Sequence, residues 1–214
     1  QWVAERHPGC TVAIGLEAYD NNVLRFHANK GFSLKQWHKA VDILRDNSLR
    51  VKTYLLFKPP FMSEGDALEH TISWVSEVSK ISDEVSINPM NIQRGTIVDR
   101  LFRNREYRPP WLWSLVEMIV RTHDDVSKTD CRVIVHPTAG GKARGSHNCG
   151  SCDSEVVAAI ERYSVSGNLG EFNGLECECK KVWLSEIQND SVLPTPMGSG
   201  IHRRGNALDR LRAP

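Results

Sequence analysis

Four short apolar runs punctuate the first two-thirds of the chain, and between them apolar residues return every three or four positions. Thr11–Ala18 (TVAIGLEA), Val51–Phe57 (VKTYLLF), Asp83–Asn88 (DEVSIN) and Arg132–His136 (RVIVH) have the length and composition of strands. Pro59-Pro60 and Pro89 stop the second and third, since proline brings no N–H to a ladder. Leu34, Trp37, His38, Val41 and Leu44 share one face of a helix predicted over 34–46, with Ser33 and Gln36 as its capping box. Ser63 opens a second helix with Leu68, Ile72, Val75 and Val78 on one side. Thr96 caps a short one, and Pro109-Pro110 leads into a longer one through Trp111, Leu115, Ile119 and Val120. The stretch between the first strand and Ser33 reads as a polar loop.

Strands alternating with helices predict an α/β fold with a parallel sheet covered by helices. An open doubly wound sheet and part of a barrel satisfy the pattern equally. At Pro137 the character changes: Pro137–Ser151 (PTAGGKARGSHNCGS) is rich in Gly and basic residues and reads as a loop. Asp153 is expected to cap a helix through Val156, Val157 and Ile160, and a last short helix contains Trp183. The tail from Pro194 has no apolar period and is expected to be disordered.

Composition narrows the class without deciding it. The chain has 214 residues, 40% hydrophobic and 25% charged, which suits a globular domain with a substantial core. A formal charge of +1 supplies no global attraction for a polyanion, so only local basic clusters can make that case. No apolar run approaches the roughly 18–20 residues that cross a bilayer, and no secretory leader is visible, so a cytoplasmic location is expected. Gln1 is not a natural start residue, and a truncated chain is the expectation.

Four of the six cysteines form two tight pairs. Cys149-Gly-Ser-Cys152 is a knuckle that lets two thiolates face one ion, while Cys177 and Cys179 project to the same side of an extended segment. Four thiolates make a tetrahedral zinc site. An iron–sulfur cluster, or simple buried or oxidised thiols, remain the other readings, and His147 could replace one cysteine. A fully thiolate site has no open position, so it points to folding of the C-terminal region rather than to chemistry. Cys10 and Cys131 precede strands and are expected to be buried thiols. Trp111 and Trp113 are expected in the core.

Several short motifs occur in an order that resembles one family. Gly15-Leu-Glu-Ala18, Asn21-Asn-Val-Leu24, Asn29-Lys-Gly-Phe-Ser33 and Val51–Pro60 (VKTYLLFKPP) resemble the middle of the radical-SAM barrel of coproporphyrinogen-dehydrogenase and elongator-type enzymes. The ending Phe57-Lys-Pro-Pro60 departs from their usual Gly-Leu-Pro-Gly. With Ser86-Ile-Asn-Pro89, Gln93-Arg-Gly-Thr96, Glu106–Trp111 (EYRPPW) and His147–Cys152 (HNCGSC), it is similar to the archaeosine-biosynthesis radical-SAM group. The resemblance runs over about residues 10–185.

It implies the second half of a partial TIM-type radical-SAM barrel over 1–137, a small zinc-binding region over 138–190, and a tail over 191–214. It implies S-adenosylmethionine (SAM) and a [4Fe–4S] cluster on a CxxxCxxC loop as cofactors of the complete protein, but no CxxxCxxC occurs in this chain. The implied reaction is C–N bond cleavage on a lysine-modified deazaguanine in tRNA, which this chain is not expected to catalyse alone. The implied SAM contacts are Glu17, Lys30, Thr53, where relatives often carry Asp, and Asn88. Read as bare residues, Glu17 also suits a solvated strand end and Lys30 a surface charge. Lys58, between strand and prolines, faces a substrate pocket or caps the sheet.

Lys142, Arg144 and His147 lie in the Gly-rich loop and are candidate RNA contacts, with Arg203, Arg204, Arg210 and Arg212 as a basic tail. The alternative to the enzyme is a non-catalytic zinc-containing module that binds RNA or protein. An unrelated α/β enzyme, with His136 as its base, has no nucleophile at useful spacing. A half sheet exposes an edge, so a homodimer or pairing with a missing N-terminal half is expected.

Overall fold

The computed structural model describes residues 2–190. The tail expected over 191–214, with its four arginines, lies outside the described residues. After a short helix α1 (Trp2–Arg6), the chain runs β1 (Thr11–Glu17), α2 (Asn21–Phe26), α3 (Leu34–Asp46), β2 (Arg50–Phe57), α4 (Glu64–Val78), β3 (Glu84–Pro89), α5 (Ile97–Arg103), α6 (Leu112–Val126), β4 (Arg132–Val135), α7 (Asp153–Ser166) and α8 (Cys179–Asp190). The four strands form one parallel sheet in the order β1-β2-β3-β4. Strand neighbours in space are therefore neighbours in sequence, as expected of consecutive βα units of a barrel.

The alternation along β2 shows how the sheet is used. Val51, Leu55 and Phe57 are buried in the main core, with Trp37 and Val41 of α3, Val75 of α4 and Leu115 of α6. Lys52, Tyr54 and Leu56 are only half-buried on the opposite face. On that face Lys52 pairs with Glu84 of β3 at 2.5 Å; desolvation pulls the Lys52 ammonium down, but the hydrogen bond and charge of Glu84 outweigh it and hold it above its usual range.

Local chemistry sets the boundaries. Ser33 and Gln36 do form the capping box of α3, and Ser63 and Thr96 cap α4 and α5 through their hydroxyls. The stretch read as a polar loop holds α2, whose first N–H groups are covered by the Asp20 carboxylate. The expectation for Asp153 needs correction. Helix α7 begins at Asp153 behind Cys152, and the Asp153 carboxylate turns back to accept from the N–H groups of Asn148 and Gly150. Cys131 is buried as expected, and burial pushes its thiol up to about 12, whereas Cys10 is only half-buried. Trp111 and Trp113 sit in the core, as expected.

Candidate functional site

A charged residue in the left-handed region closes the first strand and another directly follows the second: Glu17 with φ 73° and Lys58 with φ 56°. Residues other than glycine rarely adopt that conformation, and it turns both side chains out of the strand alternation. The β1–β2 register slips between Gly15 and Glu17, which re-aims the strand end. Glu17 Oε1 lies 2.9 Å from Lys30 Nζ, and both side chains keep about a quarter of their surface in water. A Cβ at Gly15 would stand 3.0 Å from that carboxylate and 3.4 Å from that ammonium, so the glycine makes room for the pair. Two of the implied SAM contacts are thus brought together as a partly exposed carboxylate–ammonium pair.

The other two are not. Thr53 is fully buried, and its hydroxyl is hydrogen-bonded to Ser82 Oγ at 2.7 Å on the helix-covered side. No polar atom of the Thr53 side chain therefore reaches open space. Asn88 is half-buried near the end of β3, paired in register with Leu56.

Lys58 turns inward to Glu64 at 2.7 Å, with side-chain exposures of 5% and 0%. Glu64 also accepts from the Trp111 N–H and the Ser114 hydroxyl, and Ser114 in turn accepts from the Trp183 indole at 2.8 Å. The Tyr107 hydroxyl donates to the Lys58 carbonyl at 2.7 Å, and burial holds that phenol well above its usual range. Lys58 therefore caps no sheet edge. It helps to line a cavity of about 440 Å³ together with Arg105, Tyr107, Arg108 and His147. Sequence reasoning missed Glu64, because a carboxylate in the first turn of a helix carries no sign of a buried partner.

Among the candidate RNA contacts, Lys142 is exposed and His147 half-buried, with Nδ1 on the Gly145 carbonyl. Arg144 is committed inward: it meets Asp99 Oδ1 at 2.6 Å and donates through Nε to the Ile92 carbonyl. Arg144 thus braces the loop while about a third of its side chain stays exposed. His136 is exposed at the end of β4.

The four paired cysteines converge at the N-termini of α7 and α8. Their sulfurs all lie within 4.8 Å of one another, with Cys149–Cys177 at 3.7 Å and Cys152–Cys179 at 3.6 Å. Gly150 at φ 93° makes the tight turn between the first two. The Trp113 indole donates to Cys179 Sγ at 3.2 Å and the Asn148 amide to Cys152 Sγ at 3.4 Å. Backbone N–H groups of Ser151 and Cys152 pull the Cys149 thiol down to about 6, while burial pushes Cys152 and Cys179 up. N–H donors aimed at sulfur are the second layer that thiolate metal sites use to orient their ligands. This is a metal-binding group. Trp113 was not legible as its partner, because it comes from another element; Asn148 stands inside His147–Cys152, yet nothing in the motif shows that its amide reaches Cys152.

No family model matches the chain. It is 33% identical over 187 residues, 87% of its length, to archaeosine synthase subunit beta of Methanosarcina acetivorans, covering 54% of that protein. It is 36% identical over 179 residues, 83% of its length, to archaeosine synthase subunit beta of Thermococcus kodakarensis, covering 55% of that protein. The chain thus spans about half the length of these relatives. Among solved structures, it is similar to Elp3 of Methanocaldococcus infernus in an N-terminally deleted form, with TM-score 0.59 and 20% identity over 81% of this chain and 38% of that one. That likeness bears on the fold alone, and it fits the second-half-barrel expectation.

Proposed function

We propose, from the relationship of this chain to the archaeosine synthase beta subunits, that it is the cofactor-tail half of a tRNA-modifying radical-SAM enzyme. The reaction of the complete protein is C–N bond cleavage on a modified deazaguanine in tRNA. Residues 1–137 are its half barrel and 138–190 its metal region. The name of the relatives argues for a second subunit as partner, and the setting is cytoplasmic. Among the described residues, no helix is long and apolar enough to cross a membrane.

The observation that carries this reading is the Glu17–Lys30 pair at the end of β1. A carboxylate and an ammonium held together, each partly in water, suit an amino-acid zwitterion: each group exchanges its partner for the oppositely charged end of the ligand. In the complete protein, SAM with a reduced [4Fe–4S] cluster would supply radical chemistry. This chain contains no CxxxCxxC, so none of its own residues is assigned to the cluster. Glu17 and Lys30 bind and orient the methionyl end, with Asn88 at the neighbouring strand end.

For the cysteines we propose one tetrahedral zinc. With bonds of about 2.3 Å, four thiolates around one ion stand about 3.8 Å apart, close to the two observed sulfur pairs. A cluster that gives each thiolate its own iron requires a wider spread.

Equilibrium dialysis of labelled SAM against the complete reading frame tests the main reading. Glu17→Gln and Lys30→Met should each weaken binding at least 10-fold while the fold persists. Equal affinity of all three proteins would overturn it.

A further inference from the structure

The segment 90–108 contains five arginines and two carboxylates, a local excess of positive charge in a chain whose net charge is only +1. One of those carboxylates, Asp99, is buried and already bound by Arg103 and Arg144, which leaves Glu106 as the only exposed anion of the segment. Arg94, Arg100 and Arg105 are exposed, and among the described residues their guanidinium groups make no ion pair or hydrogen bond. Elsewhere exposed cations are commonly neutralised, as in Lys80–Glu77, Arg121–Glu69, Lys128–Asp125, Arg162–Glu171 and Lys181–Glu178.

The lobe is built to hold those arginines outward. Val98 and Leu101 on the inner side of α5 pack with Ile92 and Tyr107 in a small core of their own. Helix α5, with 7 residues about 10 Å long, consequently presents Arg100 and Arg103 on its outer side, with Arg94 and Arg105 at its two ends. The Gly-rich loop is fixed against the same lobe: Ile92 N–H donates to the Arg144 carbonyl at 2.8 Å, and the Arg144 side chain bonds to Asp99. Exposed Lys142, two residues from Arg144, is therefore carried beside the arginines on a braced loop.

We infer that the outer face of α5 with its flanking turns is a phosphate-binding surface for RNA, contacted by Arg94, Arg100 and Arg105 with Lys142 beside them. The inference rests on the tRNA reading and adds a site to it. Unpaired guanidinium groups on a rigid, anion-poor surface suit phosphate, which they can meet bidentately, and nothing in the lobe resembles readout of base edges. The surface serves to position RNA over the cavity that Arg105 also lines, whatever the sequence.

The test measures anisotropy of the purified chain with an unmodified tRNA transcript across a salt series. A triple variant, R94Q/R100Q/R105Q, is compared with the exposed control K35Q/K39Q/K181Q, which loses the same charge. The α5 variant should weaken binding at least 10-fold and flatten the log–log salt dependence by about 2, from about 0.7–0.9 per phosphate contact. The control should change affinity less than 2-fold. Circular dichroism and melting of both variants establish that the fold is kept. Binding by the unaltered chain that the α5 variant retains, or an equal loss in both variants, overturns the inference alone. No binding of tRNA, but binding of polyglutamate, overturns it together with the tRNA reading and makes an acidic protein the partner.

Discussion

Lys58 and Glu64 form an ion pair of 2.7 Å from which water is almost wholly excluded, and the backbone of Lys58 sits in the left-handed region to make it. Two desolvated charges hold each other's place only while both are present. Glu64→Gln and Lys58→Met should therefore each destabilise the fold by about 3–5 kcal/mol, read from urea unfolding. The double variant should cost less than the sum of the two, and strict additivity would mean that the groups are not coupled.

Removing one thiolate should abolish the metal site. Plasma mass spectrometry of the purified chain should find about one zinc per chain, absent in both Cys149→Ser and Cys177→Ser. Stoichiometric iron with sulfide would replace zinc by a cluster, and the absence of any metal would leave four thiols packed for no evident purpose.

Asp99 should leave a mark on acid stability. The hydrogen bond from Arg144, aided by the Gly95 N–H and Arg103, holds its carboxyl at about 2, below the usual value of about 3.9. The folded state therefore releases this proton more readily than the unfolded state does. The stabilisation is complete above about pH 4 and is lost as pH falls toward 2. Urea midpoints measured from pH 5 to pH 2 should fall less steeply in Asp99→Asn; parallel curves would dissociate Asp99 from acid sensitivity.

Thr53→Val separates the strand-end residues from the buried ones. Its hydroxyl bonds only Ser82 in the core, so the variant should lose about 1–3 kcal/mol of stability and leave SAM affinity unchanged. A 10-fold loss of SAM binding with unaltered stability would return Thr53 to the ligand site.

The sheet was legible because a strand buried on one face, followed by an amphipathic helix, writes its period directly into the residues, as Val51–Phe57 and Leu34–Leu44 do. The cysteine group was legible because close pairs of soft ligands are rare without an ion. The Lys58–Glu64 pair was not, since a carboxylate at a helix start reads as an ordinary favourable charge near the N-terminus. The Arg144–Asp99 pair was hidden for a related reason: sequence displays a charge but not its partner, and Asp99 lies 45 residues away on another element. Helix α2 was overlooked because six residues give too little period to stand out from a polar stretch.

Trp183 joins two parts of the molecule that the chain keeps far apart. It sits on α8, which begins at Cys179, and its indole meets the Ser114 hydroxyl that holds Glu64 against Lys58. An ion clamping Cys179 would therefore anchor the far end of a relay of polar contacts that reaches the tip of β2. A chain stripped of its metal would lose the tether on α8 first and the posture of Lys58 next, so a chelator could dull the rim of the barrel without touching it.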